Sequence, residues 1–65
     1  MKNDLRELRL RRGLSQSALA QMIGICEVSY ARKERGQREF SASEIAKLAQ
    51  VLKLKPTAIV KIFLT

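Results

Sequence analysis

The 65-residue sequence predicts a single all-α domain, residues 1–65, built from five short helices. Apolar residues recur at the spacing of helix faces, and no run alternates between apolar and polar residues as a half-buried strand does. Three glycines and the single proline divide the chain into segments of helical length. These positions are Gly13, Gly24, Gly36 and Pro56.

The first helix is predicted over residues 4–12, with Asn3 or Asp4 at its N-cap. Gly13 follows as the left-handed residue that commonly ends a helix. The buried face of this helix is expected to consist of three leucines, Leu5, Leu8 and Leu10.

The second helix is predicted over Gln16–Ile23, because the Ser15 hydroxyl can accept a hydrogen bond from the first-turn amides. Gly24 ends it. A third helix is predicted over residues 27–35, and Gly36 closes it. The inner stripe of the second helix is Leu19, Ala20 and Ile23.

The segment "SASE", residues 41–44, has the form of a capping box, with serine at the cap and glutamate three residues later. It opens a fourth helix that is predicted to end near Leu52. Pro56 suits the first turn of a fifth helix over residues 56–63. The predicted core stripe of the fourth helix is Ile45, Leu48, Ala49 and Leu52.

The chain has one cysteine and no histidine, which limits how so small a domain can be held together. An internal disulfide is impossible, and a zinc site would need carboxylate ligands. We therefore expect no metal and no cofactor. Helix packing, with dimerisation as a further route, is expected to provide the stability.

Thirteen Lys and Arg against six Asp and Glu leave a net charge of +7. Such an excess favours a polyanionic partner, nucleic acid first and an anionic membrane second, although a merely well-solvated surface has the same composition. No segment has the continuous apolar length of a membrane span or of a signal peptide. With one free thiol as well, a cytoplasmic location is expected.

Residues 16–35 have the pattern of two helices crossed at a tight turn. Ala20 is small enough to let the helices approach closely, and Gly24 can adopt the positive φ that such a turn requires. This pattern predicts a helix-turn-helix. Four larger side chains would anchor the pair to the core: Leu19, Ile23, Ile25 and Tyr30.

Three stretches carry a family resemblance: "LRELRLRRGLSQSALAQMIGI" from Leu5, "YARKERG" from Tyr30 and "SEIAKLAQVL" from Ser43. Together they cover nearly the whole chain and resemble the Cro/cI-type helix-turn-helix repressors, the xenobiotic-response-element (XRE) class. The form "Y-x-x-K-E-x-G-x-x-x-F-S-x-x-E", with the later "IF", is also similar to small prophage regulators of Gram-positive bacteria. The resemblance implies a compact lambda-repressor-like fold and a regulator that binds specific double-stranded DNA.

The resemblance implies that the third helix enters the major groove and presents four residues near its N-terminus to the bases. Arg32 is the strongest candidate, because its guanidinium matches the two acceptors of guanine. Val28 would contact a thymine methyl group or pack in the domain. Glu27 would accept from cytosine or stay at its own helix N-terminus. The set predicted to contact bases is Glu27, Val28, Ser29 and Arg32.

A second set is expected to hold the DNA backbone. The resemblance places at Gln16 a glutamine that contacts phosphate and braces the recognition helix, and the helix N-terminus also donates amides to that phosphate. The remaining candidates cluster around the presumed groove, although each charged one can also be read as a solvated side chain. They are Arg11, Arg35, Gln37 and Arg38.

Four residues have structural interpretations. The resemblance implies a partly buried salt bridge between Arg9 and Glu34, which would join the first helix to the end of the third. Cys26 replaces the serine or threonine usual at the cap of the third helix, and we interpret it as a small filler rather than a redox-sensing thiol. Phe40, where the wider family often has proline, is interpreted as a core residue.

The fifth helix has more apolar residues than one helix of a small domain needs to bury. They either all pack inward or form a two-fold contact that sets two recognition helices one DNA turn apart. We predict a homodimer, at least on a pseudo-palindromic operator. The expected contact residues are Ile59, Ile62 and Phe63.

The sequence therefore predicts a DNA-binding transcription regulator, more specifically a repressor that occupies its operator. The alternative is a protein-interaction module on the same fold, such as an antitoxin that grips a toxin. An enzyme is not expected, because the chain has no histidine, one cysteine and no clustered carboxylates.

Overall fold

The computed structural model describes residues 4–64, and within that range the chain forms five α-helices and no strand. This confirms the all-α prediction. The proposed cap at Asn3 lies outside the described residues. The helices are α1 (Asp4–Arg11), α2 (Gln16–Ile23), α3 (Glu27–Glu34), α4 (Ala42–Leu52) and α5 (Pro56–Phe63).

The helix boundaries agree with the sequence to within one residue. Helices α1 and α3 each end one residue earlier than predicted, because Arg12 and Arg35 belong to the turns that follow. The Arg12 amide donates to the carbonyls of Leu8 and Arg9, both at 3.1 Å, which is the tightening typical of a last helical turn.

Side-chain caps explain where two of the helices begin. Ser15 Oγ accepts from the Ala18 amide at 3.0 Å at the start of α2. At the start of α4, Ser41 Oγ accepts from the Glu44 amide at 3.2 Å, and Glu44 Oε1 accepts from the Ser41 amide at 2.9 Å. The predicted capping box is thereby confirmed. Cys26 occupies the N-cap of α3, and its thiol makes no capping hydrogen bond.

All five helices or their connections contribute to one small core, and α2 packs against both α3 and α4. Leu10 was expected in this core, but it is 52% exposed, so that prediction is wrong. Arg9 follows Leu5 by four residues and so takes the inward position of α1. The buried hydrophobic residues are Leu5, Leu19, Ala20, Ile23, Tyr30, Phe40, Leu48, Leu52 and Ile62.

Three aromatic rings join α3 to α5. Tyr30 and Phe40 have ring centroids 5.9 Å apart, and Phe40 meets Phe63 edge-on at 5.7 Å. Phe40 is buried, as expected of a core residue. No helix among residues 4–64 has the length and apolar composition needed to cross a membrane.

Lys53 follows the last turn of α4 with φ 54°, and it is the single non-glycine residue at positive φ among residues 4–64. Its amide donates to the Gln50 carbonyl at 3.4 Å. The amide of the next residue, Leu54, donates to the Ala49 carbonyl at 2.8 Å. This geometry usually has glycine at the left-handed position, because a Cβ atom there is strained.

We expect Lys53→Gly to raise the free energy of unfolding by about 0.5–1 kcal/mol. Left-handed backbone costs a non-glycine residue about 1–2 kcal/mol, and the entropy of glycine in the unfolded chain offsets part of that gain. Urea denaturation followed by circular dichroism measures the change. Lys47→Gly, inside α4, is the control and should lower stability by about 1 kcal/mol. A loss of stability in Lys53→Gly would contradict the assigned strain.

Candidate nucleic-acid interface

The turn between α2 and α3 sets the angle at which α3 is presented. Gly24 has φ 78°, and the Ile25 amide donates back to the Ala20 carbonyl at 3.0 Å. A Cβ atom on Gly24 would meet nothing closer than Lys47 Nζ at 4.0 Å, so the turn requires glycine for its φ rather than for space. Ala20 is 1% exposed at the centre of this arrangement.

A buried ion pair fixes α1 to the end of α3. Arg9 Nε donates to Glu34 Oε2 at 2.8 Å and Arg9 Nη2 donates to Glu34 Oε1 at 3.2 Å. Arg9 Nη1 also donates to the Leu14 carbonyl at 2.7 Å, in the connection to α2. The two side chains are 7% and 2% exposed, so this pair, which the family resemblance implied, is nearly removed from water.

The Glu34 carboxylate has two further donors. The Tyr30 hydroxyl donates to Oε2 at 2.6 Å, and Gln16 Nε2 donates to Oε1 at 3.0 Å. Sequence reasoning assigned Tyr30 to the core, and it assigned Gln16 to phosphate and to bracing the third helix, but it named Glu34 as the partner of neither. Tyr30 stands one helical turn before Glu34, a spacing that could have indicated the first bond. The bond from Gln16 joins residues 18 apart in sequence and has no local signal.

These contacts determine the protonation states of the cluster. Burial alone would raise the pKa of Glu34, but hydrogen bonds from Arg9, Tyr30 and Gln16 outweigh it and hold that pKa below its usual value. Burial and the hydrogen bond to the charged carboxylate raise the pKa of the Tyr30 hydroxyl. The cluster is therefore an ionised carboxylate with all its neighbours donating. Within residues 4–64 no buried polar side-chain atom lacks a partner.

The face of α3 opposite Tyr30 and Glu34 points into solvent. Val28 is 63% exposed, which excludes the alternative that it packs in the domain. Arg32 lies one turn further along and is also exposed. Glu27 is exposed at the first position of α3, and Ser29 is half-buried beside it. The structure thus brings the residues predicted to contact bases onto the accessible part of one helix.

The residues predicted to contact phosphates do not all lie together. Arg35, Gln37 and Arg38 are exposed in the connection that follows α3, where Arg38 also lines a groove with Phe63 and Leu64. Gln16 is half-buried at the start of α2. Arg11 instead lines a separate cleft between α1 and α5.

Lys33, on α3, is held by the next helix. Its Nζ lies 2.8 Å from both carboxylate oxygens of Glu44, the capping-box residue of α4. The hydrogen bond from Lys33 lowers the pKa of Glu44, and the Ser41 amide adds to that effect. The ion pair fastens the end of α3 to the start of α4.

The prediction of dimer contacts on α5 needs a correction. Ile62 is 5% exposed and packs in the core, so it offers almost no area to a second chain. Ile59 and Phe63 are half-buried, whereas Val60 and Leu64 are 48% and 70% exposed. An apolar surface of α5 is therefore accessible, but Ile62 does not belong to it.

Comparison with known proteins finds a matching family and a similar solved structure. A helix-turn-helix family matches residues 5–59, from the start of α1 into α5. The chain is also similar to the crystal structure of the restriction-modification controller protein C.AhdI from Aeromonas hydrophila, with 42% sequence identity and a TM-score of 0.78. That alignment covers 88% of this chain and 86% of the other. No curated protein matches the chain.

We expect Arg9→Ala to lower the free energy of unfolding by about 3–5 kcal/mol, because it leaves the Glu34 carboxylate buried without its ionic partner. Small domains have only about 5 kcal/mol to lose, so the variant should be near its unfolding midpoint at room temperature. Arg11→Ala, two residues along the same helix and exposed, should change stability by less than about 0.5 kcal/mol. Thermal and urea denaturation compare the two, and equal losses would contradict the role of the pair.

Proposed function

The chain belongs to the XRE-type helix-turn-helix family of DNA-binding transcription regulators, and we propose that it binds a specific operator sequence through α3. Membership confirms the family resemblance of the motifs and assigns the chain to regulators rather than enzymes. The narrower likeness to prophage regulators stays a prediction. One observation carries the proposal. Glu34 on the inner face of α3 is bound by Arg9 of α1, while the opposite face of α3, with Val28, is exposed.

Arg32 is the main base-reading residue in this proposal. Its exposed guanidinium donates to O6 and N7 of one guanine, a pairing that discriminates against other bases by about 1–3 kcal/mol. Val28 lies one turn earlier and contacts a thymine methyl group. Glu27 and Ser29 complete the set, with the Glu27 carboxylate accepting from a cytosine amino group.

Backbone contacts come from both sides of α3. The Gln16 amide has two N–H donors, and the bond to Glu34 uses one, so the second is available to a phosphate. On the other side, Arg35, Gln37 and Arg38 reach phosphates from the exposed connection after α3. These contacts set the register of α3 in the groove and supply affinity that is independent of sequence.

The operator-bound form is proposed to be a homodimer. A groove of about 360 Å³ runs between the connection after α3 and the C-terminal residues, with an apolar lining that includes Phe40, Ile45, Phe63 and Leu64. The 70% exposure of Leu64 leaves a large apolar side chain for a partner chain to cover. Two-fold contact here, together with Ile59, would present two copies of α3 to adjacent turns of DNA.

The regulatory outcome proposed is repression by occupying the operator. C.AhdI is a restriction-modification controller protein, and the likeness to it supports a controller role for this chain as well. The alternative of a toxin-binding module predicts no sequence preference on DNA, and the following experiment separates the two.

We expect selection from a randomised duplex pool to enrich one pseudo-palindromic sequence. Affinity for that sequence should fall with rising salt, with a log–log slope of about −0.9 for each phosphate contacted. Arg32→Ala should erase the preference at one base pair in each half-site. Arg38→Ala should weaken all duplexes alike and make the slope shallower. Absence of any enriched sequence would contradict operator reading and favour the interaction module.

Leu64→Glu is expected to shift the protein from dimer to monomer and to weaken operator binding about tenfold or more, because each half-site then binds without its neighbour. Sedimentation velocity and band-shift titration measure the two effects. Leu10→Glu, at a 52% exposed leucine on α1, is the matched control. An unchanged sedimentation coefficient in Leu64→Glu would contradict a dimer formed through this surface.

A further inference from the structure

A second concave surface lies between α1, the turn after α4, and α5. It has a volume of about 370 Å³. Its floor is apolar, and its rim carries charged side chains from all three segments. The floor residues are Leu8, Leu54, Ala58 and Ile62.

The charges on the rim are unevenly distributed. Arg11 and Arg12 from the end of α1 meet Lys53 and Lys55 from the turn between α4 and α5. In the part of the chain that the structure describes, none of these four cations has an ion-pair partner. The rim also carries Lys61 of α5 and two carboxylates, Asp4 and Glu7, in the first turn of α1. Glu7 stands one turn before Arg11, so the rim is basic because five cations outnumber two carboxylates.

Lys53 adds an independent observation. Its backbone is in the left-handed conformation that glycine adopts without strain, yet the residue there is a lysine whose side chain lines this cleft. Strained residues with a charged side chain at a cleft often mark a binding function.

The cleft is separate from the surface proposed for DNA. The first residues of α4 lie against Lys33 of α3, and Lys53 lies at the other end of that 11-residue helix, about 16 Å away. It is also separate from the proposed dimer surface. Thr57, Ala58 and Ile62 line the cleft, whereas Ile59 and Phe63 lie on another face of α5.

We propose that this cleft binds an acidic peptide segment of a protein partner while α3 is on DNA. Carboxylates of the segment pair with Arg11, Arg12, Lys53 and Lys55, and its apolar side chains cover the floor. A DNA duplex fits less well, because phosphates gain nothing from an apolar floor and a duplex is too wide to enter a cleft of this volume. In this proposal the basic character of Arg11 serves the partner segment rather than the operator.

The test uses the full chain labelled with ¹⁵N and a short synthetic peptide with glutamates and leucines at helical spacing. Titration at physiological salt should shift the amides of Leu8, Leu54 and Ala58 and leave those of α3 in place. The double variant Lys53→Glu/Lys55→Glu should weaken binding about tenfold, because two attractive contacts become repulsive. The same spectra report whether each variant is folded.

Matched controls distinguish specific binding of the peptide in the cleft from non-specific electrostatic attraction to the basic protein. Arg6→Glu/Lys47→Glu makes the same change of net charge at exposed residues outside the cleft and should weaken binding less than about twofold. A peptide with serine in place of leucine should bind more weakly than the original. Three outcomes would overturn the proposal: equal loss in both double variants, equal binding of the serine peptide, or the same cleft shifts with a random duplex.

Discussion

The carboxylate of Glu34 is the contact on which the arrangement of the first three helices depends. It accepts from Arg9 on α1, Gln16 on α2 and Tyr30 on α3 itself, and it is almost fully buried. A negative charge at the C-terminal end of a helix is disfavoured by the helix dipole and by burial, so the Arg9 guanidinium is required beside it. Because this anchor is at the end of α3 and faces inward, the outward side of the helix, with Val28 and Arg32, stays accessible to the proposed operator.

The positive charge of the chain divides between surfaces that composition could not distinguish. Arg32 lies on the outward face of α3 and Arg35 and Arg38 lie in the connection that follows it, whereas Arg11 and Lys53 line the cleft beside α5. Lys33 belongs to neither, since Glu44 neutralises it. A net charge indicates a polyanionic partner, but only the fold shows which cations can act together.

Local signals predicted most of the fold, and long-range contacts explain what they missed. Helix boundaries were predictable because they depend on residues a few positions away in sequence. Ser15 and Ser41 cap helix N-termini, and the three glycines adopt the positive φ of the turns that follow helices. Ile62 was misassigned because α5 is apolar around most of its circumference, so periodicity does not say which side faces the core. The residues proposed to read DNA were assigned by resemblance, while the bond from Gln16 to Glu34 needed the tertiary structure.

Glu44 has a wider consequence. Its carboxylate accepts from the Ser41 amide, which completes the cap of α4, and also from Lys33 on α3. The same side chain therefore binds residues on both sides of the connection that carries Arg35, Gln37 and Arg38. Changes of charge at these exposed positions would leave the axes of both helices in place. In the proposed complex with DNA, affinity for the backbone can therefore evolve in the connection without altering base preference on α3, and relatives could adjust occupancy of a shared operator by loop substitutions alone.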